Sequence, residues 1–349
     1  MNSFNVISNP REIYNSMLKD IASAKKIIYL ETYIYDYDRI GHMFRKALIE
    51  KAKQGVKIKL LIDAWGSSVK KDYFKQLEKY GAEAKFFREF LYTVRIFSKN
   101  HERNHRKLLI VDNNISYLGS INITNEGINY RELVLRLTGN ITSCFIRSFN
   151  KSWETDKLTK KKIKSFVYKE FEIINDFPSY YHRITEDRYI KLIKKARKCI
   201  RIETPYFIPS YDIRRAISKA IKRGVKVTLT IPWDSNVRIV DIVRNRYLGK
   251  LHKEGVKIYF YRKSLLHSKL LIIDDRFFIL GSSNLDYRSF VHTYEINFLG
   301  NDKELIQALI KYNQETISKS EPFNYYEWKN RSSFREILEM IASWIEYYL

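Results

Sequence analysis

The chain has 349 residues, enough for two domains that each bury a core, and its 45% hydrophobic and 15% aromatic content argues against disorder. A formal net charge of +24 points to an anionic partner: nucleic acid, an acidic membrane surface or a phosphorylated substrate. The two cysteines, Cys144 and Cys199, stand in no metal-ligand spacing; they argue against a disulfide framework or a zinc site and read as buried apolar residues in a reducing compartment.

From the N-terminus, Met1 to Pro10 has no basic segment followed by an apolar run, so no signal peptide is expected. No stretch approaches the ~18 apolar residues needed to span a bilayer, so a membrane would be met from its surface. Ile27–Tyr33 reads as a strand, Ile40–Lys53 as a helix and Gly55–Asp63 as a second strand, which together make a βαβ unit. Phe90–Phe97 reads as an apolar lip or, equally, a buried strand. His105-Arg106-Lys107, Asp112 and Gly119-Ser120-Ile121-Asn122 follow, with strands expected after Lys107 and over Ile115–Ile121.

Lys151–Asp176 is charged and weakly periodic, and it is expected to join two domains, residues 1–160 and 161–349, with a helix of its own. The pattern then starts again. Cys199–Tyr206 reads as a strand, Asp212–Lys222 as a helix and Gly224–Ile231 as a strand. His267-Ser268-Lys269, Asp274 and Gly281-Ser282-Ser283-Asn284 repeat every internal spacing of the first motif. The fold class is therefore α/β, with parallel or mixed sheets flanked by helices. At the C-terminus, Phe334, Ile337, Leu338, Ile341, Trp344, Ile345 and Leu349 recur at helical spacing. That segment is expected to be an interfacial helix or one packed on the second domain.

A lone His-x-Lys is usually solvated surface; two copies in register imply one active site built from two halves. On an extended chain each histidine shares a face with its lysine, and each motif serine with its asparagine. Lys107 and Lys269, with the Asn122 and Asn284 amides, suit the oxygens of a phosphodiester, and Ser120 and Ser282 are further candidates for the phosphate. Together they would stabilise a five-coordinate phosphorus with no metal or other cofactor. One imidazole of His105 and His267 can attack phosphorus while the other protonates the leaving alkoxide. Each needs a carboxylate on its remote nitrogen, and Glu132 and Glu295 stand 27 and 28 residues after the two histidines. Asp112 and Asp274, at strand ends, read as turn residues rather than catalytic ones. His42, His101, His182, His252 and His292 lack any repeated setting and read as ordinary.

The duplicated His-x-Lys-x4-Asp-x6-Gly-Ser-x-Asn resembles the hallmark of the phospholipase D superfamily. Arg103–Lys107, Gly281–Ser289 and Glu203-Thr204-Pro205-Tyr206-Phe207 with Pro209 resemble segments of its bacterial cardiolipin synthases, and the likeness runs from about Ile13 to the C-terminus. The resemblance implies two α/β/α sandwich domains related by a pseudo-twofold axis, with the active site at their interface. It also implies His105 as nucleophile and His267 as acid/base. Glu132 stands at an acidic position that is often Asp in these synthases, which keeps the ring-orienting role. Many members begin with two transmembrane helices, which are not expected here. The implied activity is phosphatidyl transfer from an anionic phospholipid such as phosphatidylglycerol, with hydrolysis as a competing outcome. The implied setting is the cytoplasm, peripherally on the bacterial inner membrane. A metal-independent phosphodiester nuclease, with the charge binding nucleic acid, is the alternative. A non-enzymatic lipid-binding protein is a third reading.

Overall fold

The computed structural model describes residues 3–88, 102–155 and 165–349, so Phe90–Phe97 lies outside the described residues. The first half contributes strands β1 (Ser3–Ile7), β2 (Ile27–Thr32), β3 (Lys57–Asp63), β4 (Glu83–Phe87), β5 (Arg103–Asn104), β6 (Leu108–Val111), β7 (Ile115–Gly119) and β8 (Val134–Thr138). Its helices are α1 (Pro10–Ser23), α2 (Arg39–Lys53), a single turn α3 (Lys75–Glu78) and α4 (Thr142–Trp153). The sheet runs β1-β8-β7-β6-β2-β3-β4. Crossovers through helices make β2, β3 and β4 parallel, whereas β6 returns antiparallel onto β2.

The second half repeats this plan. Its strands are β9 (Phe166–Tyr168), β10 (Phe171–Asp176), β11 (Cys199–Glu203), β12 (Lys226–Pro232), β13 (Lys257–Tyr261), β14 (Leu270–Ile273), β15 (Phe277–Gly281), β16 (Thr293–Gly300) and β17 (Ser320–Pro322). Its helices are α5 (Ile184–Lys195), α6 (Tyr211–Lys222), α7 (Arg238–Glu254), α8 (Lys303–Ser318), the short α9 (Tyr325–Lys329) and α10 (Ser333–Ala342). The order is β17-β13-β12-β11-β14-β15-β16-β10-β9, and β5 of the first half adds itself to β16.

Alternation along each strand sets the layers. Leu109 and Val111 of β6 face α1 and α2, while Leu108 and Ile110 face inward. In β14, Leu271 and Ile273 face α5 and α6, while Leu270 and Ile272 face inward. The two inward faces meet in one continuous apolar core, filled by Phe145 and Phe149 of α4 and Leu305 and Leu309 of α8. Each such fully buried side chain contributes about 1.5–3 kcal/mol, so the halves are welded rather than hinged.

Two sequence expectations change here. The described part of Lys151–Asp176 holds the end of α4 and then strands β9 and β10, not a helix of its own. The alternation of Phe171 and Ile173 into the core makes β10 a strand of the second sheet. Cys144 is buried, but Cys199 is only half-buried, because it opens β11 at the sheet's end beside Arg201 and Asp275.

Asp112 and Asp274 occupy equivalent tight turns with φ of 52° and 55°, a left-handed region that Asp tolerates better than most residues. Asp112 Oδ1 accepts from Lys26 N at 2.7 Å and Ile27 N at 3.1 Å. Asp274 accepts from Arg197, Lys198 and Cys199 amides at 2.8, 2.6 and 2.9 Å. Burial works against the Asp274 charge, yet these amides hold its carboxyl below the usual range. Each aspartate thus pins the end of its motif strand to the head of the neighbouring strand, β2 or β11. Asp274→Ala leaves the amides at the head of β11 unpaired and is expected to lower stability by about 1–3 kcal/mol in urea unfolding. Asp274→Asn, which keeps an acceptor, should lose less.

Candidate active site

Both His-x-Lys segments run extended just ahead of their strands, and each is hydrogen-bonded by its backbone to the opposite half. Arg103 and Asn104 pair with Thr293 and Tyr294, and His105 N donates to Tyr294 O at 3.0 Å. In the mirrored arrangement, Arg131 N donates to Leu265 O and His267 N to Arg131 O, both at 2.9 Å. The next residue on each opposing segment is a glutamate, and the carboxylates therefore cross over. His105 Nδ1 lies 2.9 Å from Glu295 Oε1, and His267 Nδ1 lies 2.9 Å from Glu132 Oε1. With each Nδ1–H donated to a carboxylate, Nε2 is left with its lone pair for chemistry.

The motif serines do not serve as phosphate ligands, contrary to the sequence expectation. Ser120 and Ser282 are fully buried, and their hydroxyls donate to Glu132 and Glu295. The reason is the glycine before each. A Cβ on Gly119 would sit 2.2 Å from Leu133 O, and one on Gly281 2.3 Å from Ile296 O. The strands approach so closely there that the next side chain meets the neighbouring strand's glutamate rather than the cleft. Thr293 adds a further hydrogen bond to Glu295 at 2.8 Å.

Lys107 and Lys269 each give one proton to the carbonyl of their own histidine, at 2.7 and 2.6 Å, and retain two donors. Asn122 spends its Oδ1 on Ile34 N at 3.3 Å, which leaves its amide protons for a ligand. Asn284 is held through its backbone N by Ser289 Oγ at 3.0 Å, and its buried Oδ1 has no hydrogen-bond partner among the described residues. Thus His105, Lys107, Asn122 and Glu132 of the first half converge with His267, Lys269, Asn284 and Glu295 of the second.

This cleft is built for an anion. Burial and then the Lys269 charge push the Lys107 ammonium down to about 7, against the pull of Glu295 and Glu132. Burial likewise pushes Lys269 down to about 8, against the pull of Glu132 and Glu295. His105 is held down to about 4 by burial, opposed by Glu295 and assisted by the two lysines. His267 is lowered by burial in the same way. Burial disfavours the charge of Glu132 and Glu295 too, but the histidine and lysine beside each keep both ionised below the usual range. These shifts favour neutral imidazoles beside ionised glutamates near neutral pH.

Sequence reasoning missed the supporting residues. Tyr33 stands edge-on to His105 at 5.0 Å, and Tyr130 flanks His267 at 5.7 Å. Glu31 and Glu203, equivalent positions of the repeat, lie buried behind the motifs: Glu31 takes Arg106 Nε at 3.0 Å, and Glu203 takes Ser268 Oγ at 2.7 Å. Strand alternation was the available signal, since the middle residue of His-x-Lys must face away from the cleft.

Residues 17–153 and 189–317 match the family described as cardiolipin synthase, PLD-like domain. The chain belongs to this family. Among cardiolipin synthase relatives, it is 30% identical to the major cardiolipin synthase of Bacillus subtilis (strain 168), over 98% of this chain and 74% of that protein. It is 32% identical to cardiolipin synthase 1 of Staphylococcus aureus (strain MRSA252), over 95% of this chain and 71% of that protein. The fold is shared with the phosphatidylserine synthase of Haemophilus influenzae Rd KW20, at a TM-score of 0.79 and 14% identity, covering 99% of this chain and 95% of that one. No helix among the described residues is long and apolar enough to cross a membrane.

With burial holding its ammonium down to about 7, Lys107 is expected to take up a proton when an anion binds beside it above that pH. Sulfate, which has no proton to exchange near pH 8, is therefore expected to bind with net proton uptake. Titration calorimetry in two buffers of unlike ionisation enthalpy reads this directly, and Lys107→Met should remove most of the uptake.

Proposed function

We propose that the chain transfers a phosphatidyl group from one anionic phospholipid to the hydroxyl of a second, with phosphatidylglycerol as donor and acceptor and cardiolipin and glycerol as products. The observation that carries this reading is the crossed pairing of the two motif histidines with glutamates of the opposite half, beside two buried lysines. The cardiolipin synthase relatives supply the substrate class.

In this mechanism the diester phosphate sits among Lys107, Lys269, Asn122 and Asn284, and its negative charge lets the His267 ring take up a proton. His105 Nε2 attacks phosphorus while His267 gives its proton to the departing glycerol oxygen. A P–N bond forms and a P–O bond breaks. His267, now neutral, removes the proton from the incoming hydroxyl, which attacks phosphorus and frees His105. Glu295 and Glu132 hold the rings and balance the imidazolium that forms on each. The lysine and asparagine donors meet the developing charge in place of a metal ion. The donor lipid would be drawn from the cytoplasmic face of the inner membrane by a peripherally bound protein.

The decisive test incubates the protein with labelled phosphatidylglycerol vesicles and EDTA, beside a His105→Ala control. Cardiolipin plus free glycerol, abolished in the control, is the expected result. Phosphatidic acid alone would make the protein a hydrolase, and cleavage of single-stranded DNA without lipid turnover would make it a nuclease. His267→Ala should lower turnover by about 10²–10⁴-fold. A nitrophenyl ester, whose leaving group needs no proton, should then trap a covalent adduct on the His105 peptide, visible by mass spectrometry.

A further inference from the structure

The last helix wears its polarity inside out. α10 buries Glu339 and Ala342, and Glu339 accepts from Arg331 Nε and Nη2 at 3.0 Å each. Phe334, Ile337 and Ile341 are 68%, 49% and 49% exposed, and the following turn, Ser343–Tyr348, adds Trp344 at 75% and Ile345 at 45%. A helix of an ordinary soluble domain turns such a stripe toward its core. A contiguous exposed stripe of this kind marks a surface that something apolar covers.

Beside it lies a groove of about 590 Å³ between α6 and α7, lined by Arg214, Arg215, Lys219, Lys222, Arg246 and Lys250. Its carboxylates are Glu254 and Glu346. The groove is continuous with the apolar segment, because Arg246 donates to Ser343 Oγ and the Tyr247 hydroxyl to Glu346. An apolar wedge rimmed by cations is the chemistry of an anionic bilayer surface, where acyl boundary and phosphates lie side by side. A second copy of this chain would set the same cations against themselves, and nucleic acid, whose bases could stack on single aromatic rings, has no continuous apolar phase to cover the aliphatic Ile337, Ile341 and Ile345.

We propose that α10, the turn Ser343–Tyr348 and the cationic α6–α7 groove together form the surface by which the protein docks on an anionic bilayer. This rests on the proposed function only in that the substrate is then a bilayer lipid. The surface is also tied to the cleft. Arg288 N donates to Leu349 O at 2.8 Å, and the Tyr347 ring lies 4.6 Å from that of Tyr287, in the loop whose Ser289 holds Asn284. Docking thus brings the Asn284 side of the cleft to the membrane.

Flotation with phosphatidylglycerol and phosphatidylcholine vesicles tests this without turnover. The wild-type chain is expected to float with phosphatidylglycerol, to do so less as salt rises, and to float poorly with phosphatidylcholine. Ile341→Glu/Trp344→Glu and Arg215→Glu/Lys219→Glu should each weaken binding at least tenfold. Both pairs change exposed side chains, so unfolding temperature, and turnover of detergent-dispersed phosphatidylglycerol, should stay within twofold of wild type. Variants that float like wild type, or a wild type that does not float, would overturn the docking surface. So would an Ile341→Glu/Trp344→Glu chain that floats normally but has passed from dimer to monomer in light scattering. Absent lipid turnover with flotation intact would instead sink the transfer reading and leave the docking surface standing.

Discussion

The structure depends on one reciprocal exchange: each catalytic-motif histidine is held by a glutamate of the other half. Neither half can then orient its own imidazole, so the site exists only where the two sheets meet. This explains why the shared core is so apolar and continuous. A pair of rings fixed at 2.9 Å tolerates little sliding between the bodies that carry them. α4 and α8, packed between the inward faces of the two sheets, remove that freedom. The β5–β16 pairing and its Arg131–Leu266 counterpart add backbone hydrogen bonds at the rim of the site itself.

The same closeness sets the electrostatics. Two lysines and two histidines share a buried site, and burial depresses all four, with the neighbouring lysine charge adding to it at Lys107, His105 and His267. Two glutamates offset only part of this. A phosphodiester in the cleft would give the lysines a partner and meet both asparagine amides at once.

The halves are alike but not identical, and the differences lie behind the motifs. Arg106 is fully buried, ion-paired with Glu31 and hydrogen-bonded to Asn175 and Ser148, whereas its counterpart Ser268 offers Glu203 only a hydroxyl. Glu203 is pushed up to about 7 by burial, with the Ser268 and Asn313 hydrogen bonds and the Arg131 charge pulling the other way. The hydrogen-bonding support behind His267 thus differs from that behind His105, although the cleft-facing residues match. A site that looks symmetric in its reactive groups is asymmetric in its supports.

Much of this was legible in the amino-acid sequence. Repeat spacing revealed two halves, alternation placed each histidine with its lysine on one face, and Gly-closed crossovers located the parallel strands, because these signals are local and periodic. Glu132 and Glu295 could be named from matching offsets, yet nothing in those offsets says which histidine each serves. That pairing is set by how β16 and the Glu132 segment lie against the opposite motifs, a contact between residues 135 and 190 positions apart. For the same reason Ser120 and Ser282 looked like phosphate ligands until the close strand approach at Gly119 and Gly281 turned them onto carboxylates. The C-terminal stripe was visible as helical spacing, but its direction was not. Only the burial of Glu339 against Arg331 left Phe334, Ile337 and Ile341 facing outward. The sequence by itself determined the residues and their periodicity; the tertiary structure decided their partners, because hydrogen bonds and burial depend on where distant segments meet in space.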